Sequence, residues 1–396
     1  MIKLSTVKKE LTLHPFSRED TNFLKGISIL LIVLHNYYRW INPIIGENEF
    51  EFSAENIVNN LILLQSNPLE LLHVFFKFLG HYGILSFIVI SAYGLTLSFT
   101  KSRPGYGRFL LRRFGKIYPS LILAGIVFVV YSLMMDGRMP STDLLHDMLL
   151  HATLLTNLIP GKAMAFAGPW WFYSFIFQFY MVFPALFWVN RRYGGRGLSG
   201  LALGGYFLTI MLYSPLLKLN LNPYQMVIGH LPEFCLGMYL ASKDKIRLPL
   251  WALLLALLVA IGGNIYRWLW PFANLGVAVV LVITIQRMLR WRDKLPSLFS
   301  TISFLGMISM YLFACHGYLR WQFIPMANKL ASPLTGLVIG LTFVVIATGV
   351  AYLMMLTEKS INNWISGPEE ASSRYGRFFV LFFLTVGGVT FLALKG

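Results

Sequence analysis

Charge is scarce in this chain. Asp, Glu, Lys and Arg make up only 13% of its 396 residues, about half the ~25% of an ordinary soluble domain. So little polar material does not cover a water-facing surface, which excludes a free globular enzyme. Cysteine is nearly missing too. Cys235 and Cys315 are the two present, both in apolar runs, and they make neither a disulfide framework nor a thiolate metal site. Acidic residues are the scarcer charge, 17 against 33 basic, for a net +16. A nucleic-acid binder gathers Lys and Arg on one surface. Here they fall in short clusters between apolar runs, so no nucleic-acid partner is expected. The N-terminus also lacks a short apolar region followed by a small-residue cleavage site, so its first apolar run reads as a permanent span.

What is present is apolar. Hydrophobic residues reach 56%, aromatics 15%, and Phe alone occurs 32 times. A membrane span takes roughly 20 apolar residues. That rule predicts helices near 23–40, 83–99, 117–135, 171–189, 198–214, 226–242, 248–263, 272–288, 302–319, 333–356 and 376–394. The expected fold is an all-α, polytopic integral membrane helix bundle of about eleven transmembrane helices in a lipid bilayer. Residues 1–22 form a cytoplasmic N-terminal segment, 23–356 a ten-helix core, and 357–396 a polar linker with one appended helix. The stretches 69–82 and 143–158 are expected at the interface, the first because His73, Lys77 and His81 interrupt it.

Basic residues set the orientation. With the N-terminus inside, the inner segments carry 23 Lys and Arg and the outer segments eight, the bias of the positive-inside rule. The first outer loop instead carries Glu47, Glu49, Glu51 and Glu55. An odd helix count then leaves the C-terminus outside. No internal repeat of the inverted-repeat transporter kind is visible.

Ionisable residues inside spans are functional candidates by default. Lys25 stands near the inner end of the first helix, with His35 ten residues later. At the helical rise they are roughly 15 Å apart. His35, Ser91, Gln178, Glu233 and His316, from five helices, come to similar depths, roughly 18–21 Å from the inner face. Taken singly, Gln178 and His316 read as interhelical hydrogen-bond partners, Ser91 as packing and Lys25 as an interfacial snorkeler. His35 and Glu233 read as functional, because a carboxylate in an apolar layer needs a partner and an imidazole is the natural one. The loop after the second helix holds Lys101, Arg103, Arg108, Arg112, Arg113 and Lys116. Topology and anionic lipid account for some of these; six in sixteen residues also suits a cytosolic ligand with several phosphates. A transporter or flippase of lipid-linked sugars is the competing class.

Five segments resemble the acyltransferase-3 family of bacterial membrane acyltransferases. They are Phe23 to His35 with Lys25-Gly26, Gly83 to Leu97 with Ser91-Ala92-Tyr93-Gly94, and Arg113-Phe114-Gly115-Lys116-Ile117-Tyr118-Pro119. Trp171-Phe172 through Gln178-Phe179-Tyr180 to Pro184 is the fourth, and Pro232-Glu233-Phe234 with Gly237 the fifth. Ser309 to His316 is a looser match. The basic residue ten positions before the His resembles the fucose 4-O-acetylase-like members. Ala92, Lys116 and His230 depart from the family's usual residues.

The resemblance implies acyl transfer, most often acetyl from cytosolic acetyl-CoA or another acyl-CoA, to a hydroxyl of a cell-surface glycan or its lipid-linked precursor. It implies a bacterial cytoplasmic (inner) membrane and polysaccharide biosynthesis. On that reading Lys25, Arg112, Arg113 and Lys116 hold the coenzyme phosphates. His35 is general base or transient acyl carrier, and Glu233 orients it or holds a sugar hydroxyl. Gln178, Tyr180, Ser91 and His316 are substrate contacts, and no metal is required.

Overall fold

A computed structural model describes residues 10–365, and the helix expected at 376–394 lies outside them. The chain is a helix bundle with one small antiparallel ribbon, β1 (Glu10–Leu13) paired with β2 (Ile246–Pro249). Helix α1 (Arg18–Tyr38) starts at a Ser17 cap that accepts from the Asp20 amide, while Asp20 accepts from Ser17 in return. Glu19 and Asp20 in its first turn oppose the helix dipole. Both carboxylates also meet Arg292.

The chain continues through α2 (Ala54–Ser66) and the short α3 (Leu71–Val74). A π turn over Phe75–Leu79 and a 3-10 turn over Gly80–Tyr82 lead into α4 (Gly83–Lys101). Next come α5 (Tyr106–Asp136), α6 (Thr142–Leu150) and α7 (Trp171–Lys218), then α8 (Leu231–Ala241), α9 (Leu250–Gly262) and α10 (Trp270–Met288). The described chain closes with α11 (Pro296–Met307), α12 (Ser309–Leu319), α13 (Phe323–Leu330) and α14 (Pro333–Ile365).

Among the described residues, five helical runs are long and apolar enough to cross a membrane. These are Pro68–Lys101, Tyr106–Asp136, Gly168–Lys218, Trp270–Lys294 and Pro333–Asn363. A sixth is added if α11 and the run Ser309–Leu330, bent by 76°, count as one span. Helix α7 has 48 residues, or roughly 72 Å of rise, over twice the hydrocarbon thickness. It turns back at Gly194, whose φ of 57° and ψ of −141° only glycine tolerates. The two spans expected at 171–189 and 198–214 are its two arms.

Three expectations change. The run 69–82, expected at the interface, is helical and continuous with α4, and His73, Lys77 and His81 are buried inside the bundle. Those side chains meet protein rather than lipid headgroups. The single helix expected over 302–319 breaks between Met307 and Ser309. Helix α14 runs beyond 356 to Ile365, into the expected linker, where Tyr311 donates to Glu358 at 2.7 Å.

Close crossings position α1. A Cβ on Gly26 would collide with the Ile302 carbonyl, and one on Gly306 with the Asn22 carbonyl, so these glycines let α1 and α11 touch backbone to backbone. Gly237 does the same for α8 against Val89 of α4. Between helices, Tyr37 donates to the Gly336 carbonyl, Trp170 to Ala314 and Tyr318 to Ala124. Such bonds average only about 0.6 kcal/mol in membrane proteins, so the close packing of the buried aromatic core carries more of the assembly.

Candidate active site

His35 lies one turn before the C-terminal end of α1 and is 2% exposed. Its Nδ1 is 2.9 Å from the Lys77 carbonyl oxygen. A carbonyl only accepts, so Nδ1 carries the hydrogen and donates it. In the neutral ring Nε2 is then the free lone pair. Among the described residues Nε2 has no hydrogen-bond partner. The local fold explains this arrangement: the π turn that carries Lys77 departs from the regular α ladder and presents its carbonyl to the imidazole.

The carboxylate facing Nε2 comes from the loop after α1. Glu49 Oε2 is 3.6 Å from His35 Nε2 and 3.6 Å from Arg39 Nη1, while Glu47 Oε1 meets Arg39 Nη2 at 2.8 Å. Between these glutamates Asn48 pins the loop. Its carbonyl accepts from Trp270 Nε1 at 2.8 Å, and its Oδ1 accepts from Asn56 Nδ2 and the Ser53 amide. Burial alone would push the Glu49 carboxyl up, but the His35 contact and the Arg39 charge outweigh it and hold it at about 2. Glu49 is therefore an anion at neutral pH. His35, Glu47 and Glu49 bring ligand atoms within 4.8 Å of one another, and the Arg39 guanidinium stands where a cation bound between the carboxylates would.

The pocket beside His35 is walled by Asn36, Arg39, Glu49, His81, Gly168 and Trp171, among others. The His81 ring stands edge-on at 5.5 Å from His35. The water-sized space is about enough for one water molecule.

Glu233 sits in the first turn of α8 and is almost fully buried. Its Oε2 faces His230 Nδ1 at 3.4 Å, and His230 Nε2 donates to the Tyr224 carbonyl at 3.0 Å. Its imidazole neighbour is thus His230 rather than His35. The two pairs are nevertheless neighbours, since Glu49, His81 and Trp171 wall both the His35 pocket and a second one lined by Tyr224 and His230.

The other residues expected in the site divide three ways. His316 is buried in α12, its Nδ1 donating to the Leu312 and Phe313 carbonyls and its Nε2 unpartnered, with the ring against Phe313, which lines the His35 pocket. Gln178 donates to Asn157 at 2.9 Å and accepts from the Val227 amide at 3.3 Å, bracing the turn that leads into His230. Ser91 is half-buried in α4 and does not line the His35 pocket.

Tyr180 lies with the basic group instead. The Arg113 guanidinium stacks over Tyr180 at 5.6 Å and over Phe109 at 5.1 Å. Lys116 lies within electrostatic reach of both Arg113 and Lys25, and Arg112 of Arg113. Lys25, Arg112, Arg113 and Lys116 thus gather in one region. Among the described residues no carboxylate pairs with any of them. Sequence reasoning passed over Glu49, Lys77, His81 and Asn36. The signal for Glu49 was in view: an acidic loop directly follows the His35 helix, and it was used only to fix orientation.

A buried imidazole with an open Nε2 inside a helix bundle, and a cluster of cations without carboxylate partners formed by Lys25 of the same helix with Arg112, Arg113 and Lys116 of α5, fit a multi-pass membrane protein equipped for group transfer. The profile of the family described as an acyltransferase domain matches residues 19–356. The chain belongs to the acyltransferase-3 family and is a membrane acyltransferase. Neither a curated protein nor a solved structure matches it significantly.

Proposed function

We propose that this acyltransferase moves an acetyl group from cytosolic acetyl-CoA to a hydroxyl of a cell-surface glycan or its lipid-linked precursor. The setting is a bacterial inner membrane, with eleven spans, the N-terminus inside and the C-terminus outside. The observation that carries the reading is the fixed tautomer of His35: Nδ1–H bound to the Lys77 carbonyl and Nε2 open. That is the state a general base needs before it takes a proton from a hydroxyl.

The donor enters from the side of Lys25, Arg112, Arg113 and Lys116, whose charges meet the coenzyme phosphates, with Tyr180 bracing Arg113 from below. Its pantetheine arm runs along α1 toward His35. The acceptor approaches from the side of the Glu47–Glu49 loop. A hydroxyl delivers its proton to Nε2, and the resulting imidazolium is stabilised by Glu49 at 3.6 Å. Glu233 with His230, and His316, Gln178 and Ser91 more distantly, shape the acceptor's surroundings.

The test is binding of acetyl-CoA, beside other acyl-CoAs, to the purified protein in detergent, for wild type and for Arg113→Ala with Lys116→Ala. Micromolar binding that the double variant loses supports the coenzyme site. A folded protein that binds no acyl-CoA sinks the proposal.

A further inference from the structure

Arg320 follows the last turn of α12 and is only 6% exposed. Its Nη1 donates to the Asn36 carbonyl at 3.0 Å and to Asn36 Oδ1 at 2.8 Å. Nε is buried with no partner, and among the described residues Nη2 makes no hydrogen bond and no carboxylate pairs with the group. The charge that bears on it is a second guanidinium, Arg39. The contrast between the two is informative, because Arg39 has Glu47 and Glu49 while Arg320 has no anion of the protein's own. A buried cation without a counter-ion is costly to the fold, so its retention points to an anion supplied from outside.

Where that anion sits follows from the neighbours. Asn36 is the residue after His35, and a side chain at Gly168 would begin 4.0 Å from Arg320 Nη2. Asn36 and Gly168 both line the His35 pocket. The space there is that of about one water molecule. An anion met by Arg320 beside Asn36 and Gly168 lies at the wall of the same space that His35 lines.

We propose that Arg320 is the oxyanion-stabilising residue of acyl transfer, an assignment that rests on the acyl-CoA reading given above. The acceptor hydroxyl gives its proton to His35 Nε2 as its oxygen bonds to the thioester carbon. The carbonyl pair moves onto the carbonyl oxygen, which becomes the anion beside Arg320. On collapse the carbon–sulfur bond breaks, and the leaving thiolate takes the proton back from His35. A guanidinium held in place before the charge develops needs no reorganisation at that moment.

The experiment compares wild type, R320Q and R320K in two assays: transfer to acceptor, and slow acetyl-CoA hydrolysis with no acceptor present. Both reactions form the oxyanion, but only the first uses the acceptor. R320Q is expected to lower kcat in both by about a hundredfold or more, with KM for donor and acceptor changed little. R320K, which keeps the charge and loses the planar fork, is expected to fall between. An unchanged kcat in R320Q overturns the assignment. So does a loss confined to the KM of the acceptor, which would make Arg320 a seat for a fixed anion on the glycan. If R320Q does not accumulate, R320K decides, and an undiminished kcat there overturns it. Failure of the underlying reading looks different: wild type itself then neither binds nor hydrolyses acetyl-CoA, and the assignment falls with it.

Discussion

Two charged regions along α1 handle their cations in opposite ways. Around His35 the protein supplies its own anions: Arg39 is held by Glu47 and Glu49, and a loop pinned through Asn48 delivers both carboxylates. Around Lys25, among the described residues, no carboxylate pairs with Lys25, Arg112, Arg113 or Lys116. Arg113 rests on aromatic faces and Lys116 lies near other cations. On the proposed reading, the difference separates a prearranged reaction centre from a docking surface for the donor. Prearranged ion pairs fix the geometry of a base and cost nothing further when substrate arrives. Unmatched cations leave their attraction to be satisfied by a polyanion that comes and goes. Arg320 and Lys77 are the exceptions on the first side, buried cations with no carboxylate partner among the described residues.

The comparison is broken most severely at His35. His35→Ala is expected to lower transfer by about a thousandfold or more while the protein still accumulates in the membrane; wild-type turnover in that variant would end the mechanism. Glu49→Gln follows, with kcat reduced by roughly ten- to a hundredfold, because it removes the carboxylate charge 3.6 Å from the imidazolium. The same variant sharpens the electrostatics. Glu49 is held at about 2, below its ordinary 4.5, so its ionisation stabilises the fold fully above that ordinary value. This contribution is lost as pH falls through the window toward 2. Acid unfolding curves of wild type should carry that component and those of Glu49→Gln should lack it.

On the docking side, Arg113→Ala is expected to weaken acetyl-CoA binding by about tenfold or more with kcat at saturation nearly intact. An effect felt only in acceptor affinity would reverse the two faces of the reaction. Tyr180→Leu removes one of the rings under Arg113 and should raise the donor Kd only a few-fold, about 0.5–1 kcal/mol. If instead Tyr180→Leu spares the donor and raises the acceptor KM, the tyrosine belongs with the sugar.

Much of the arrangement was legible in the amino-acid order. The apolar runs, the positive clusters and the sites of His35 and the basic group are all local features of a chain whose solvent is lipid. Other features were hidden for a physical reason. Polarity at 69–82 suggested the interface, because His73, Lys77 and His81 are costly inside a membrane unless protein surrounds them, and no local pattern reports who surrounds them. The break between Met307 and Ser309 lies in an apolar run that reads as one helix. Depth and resemblance group Tyr180 with Gln178, yet two residues along a helix point to different faces.

The sequence by itself determined that the chain is a multi-pass helical membrane protein of the acyltransferase-3 family, since composition, charge asymmetry and ordered motifs are carried residue by residue. Tertiary structure alone decided the partners. The imidazole's tautomer depends on a carbonyl 42 residues away, its facing carboxylate on a loop folded back over the helix end, and the matching of Arg320 to Asn36 on a contact 284 residues apart. Hydrogen bonds and ion pairs act over a few ångströms, so where the members lie on separate elements, as with His35 and Lys77 or Arg320 and Asn36, they are set by which helices pack together.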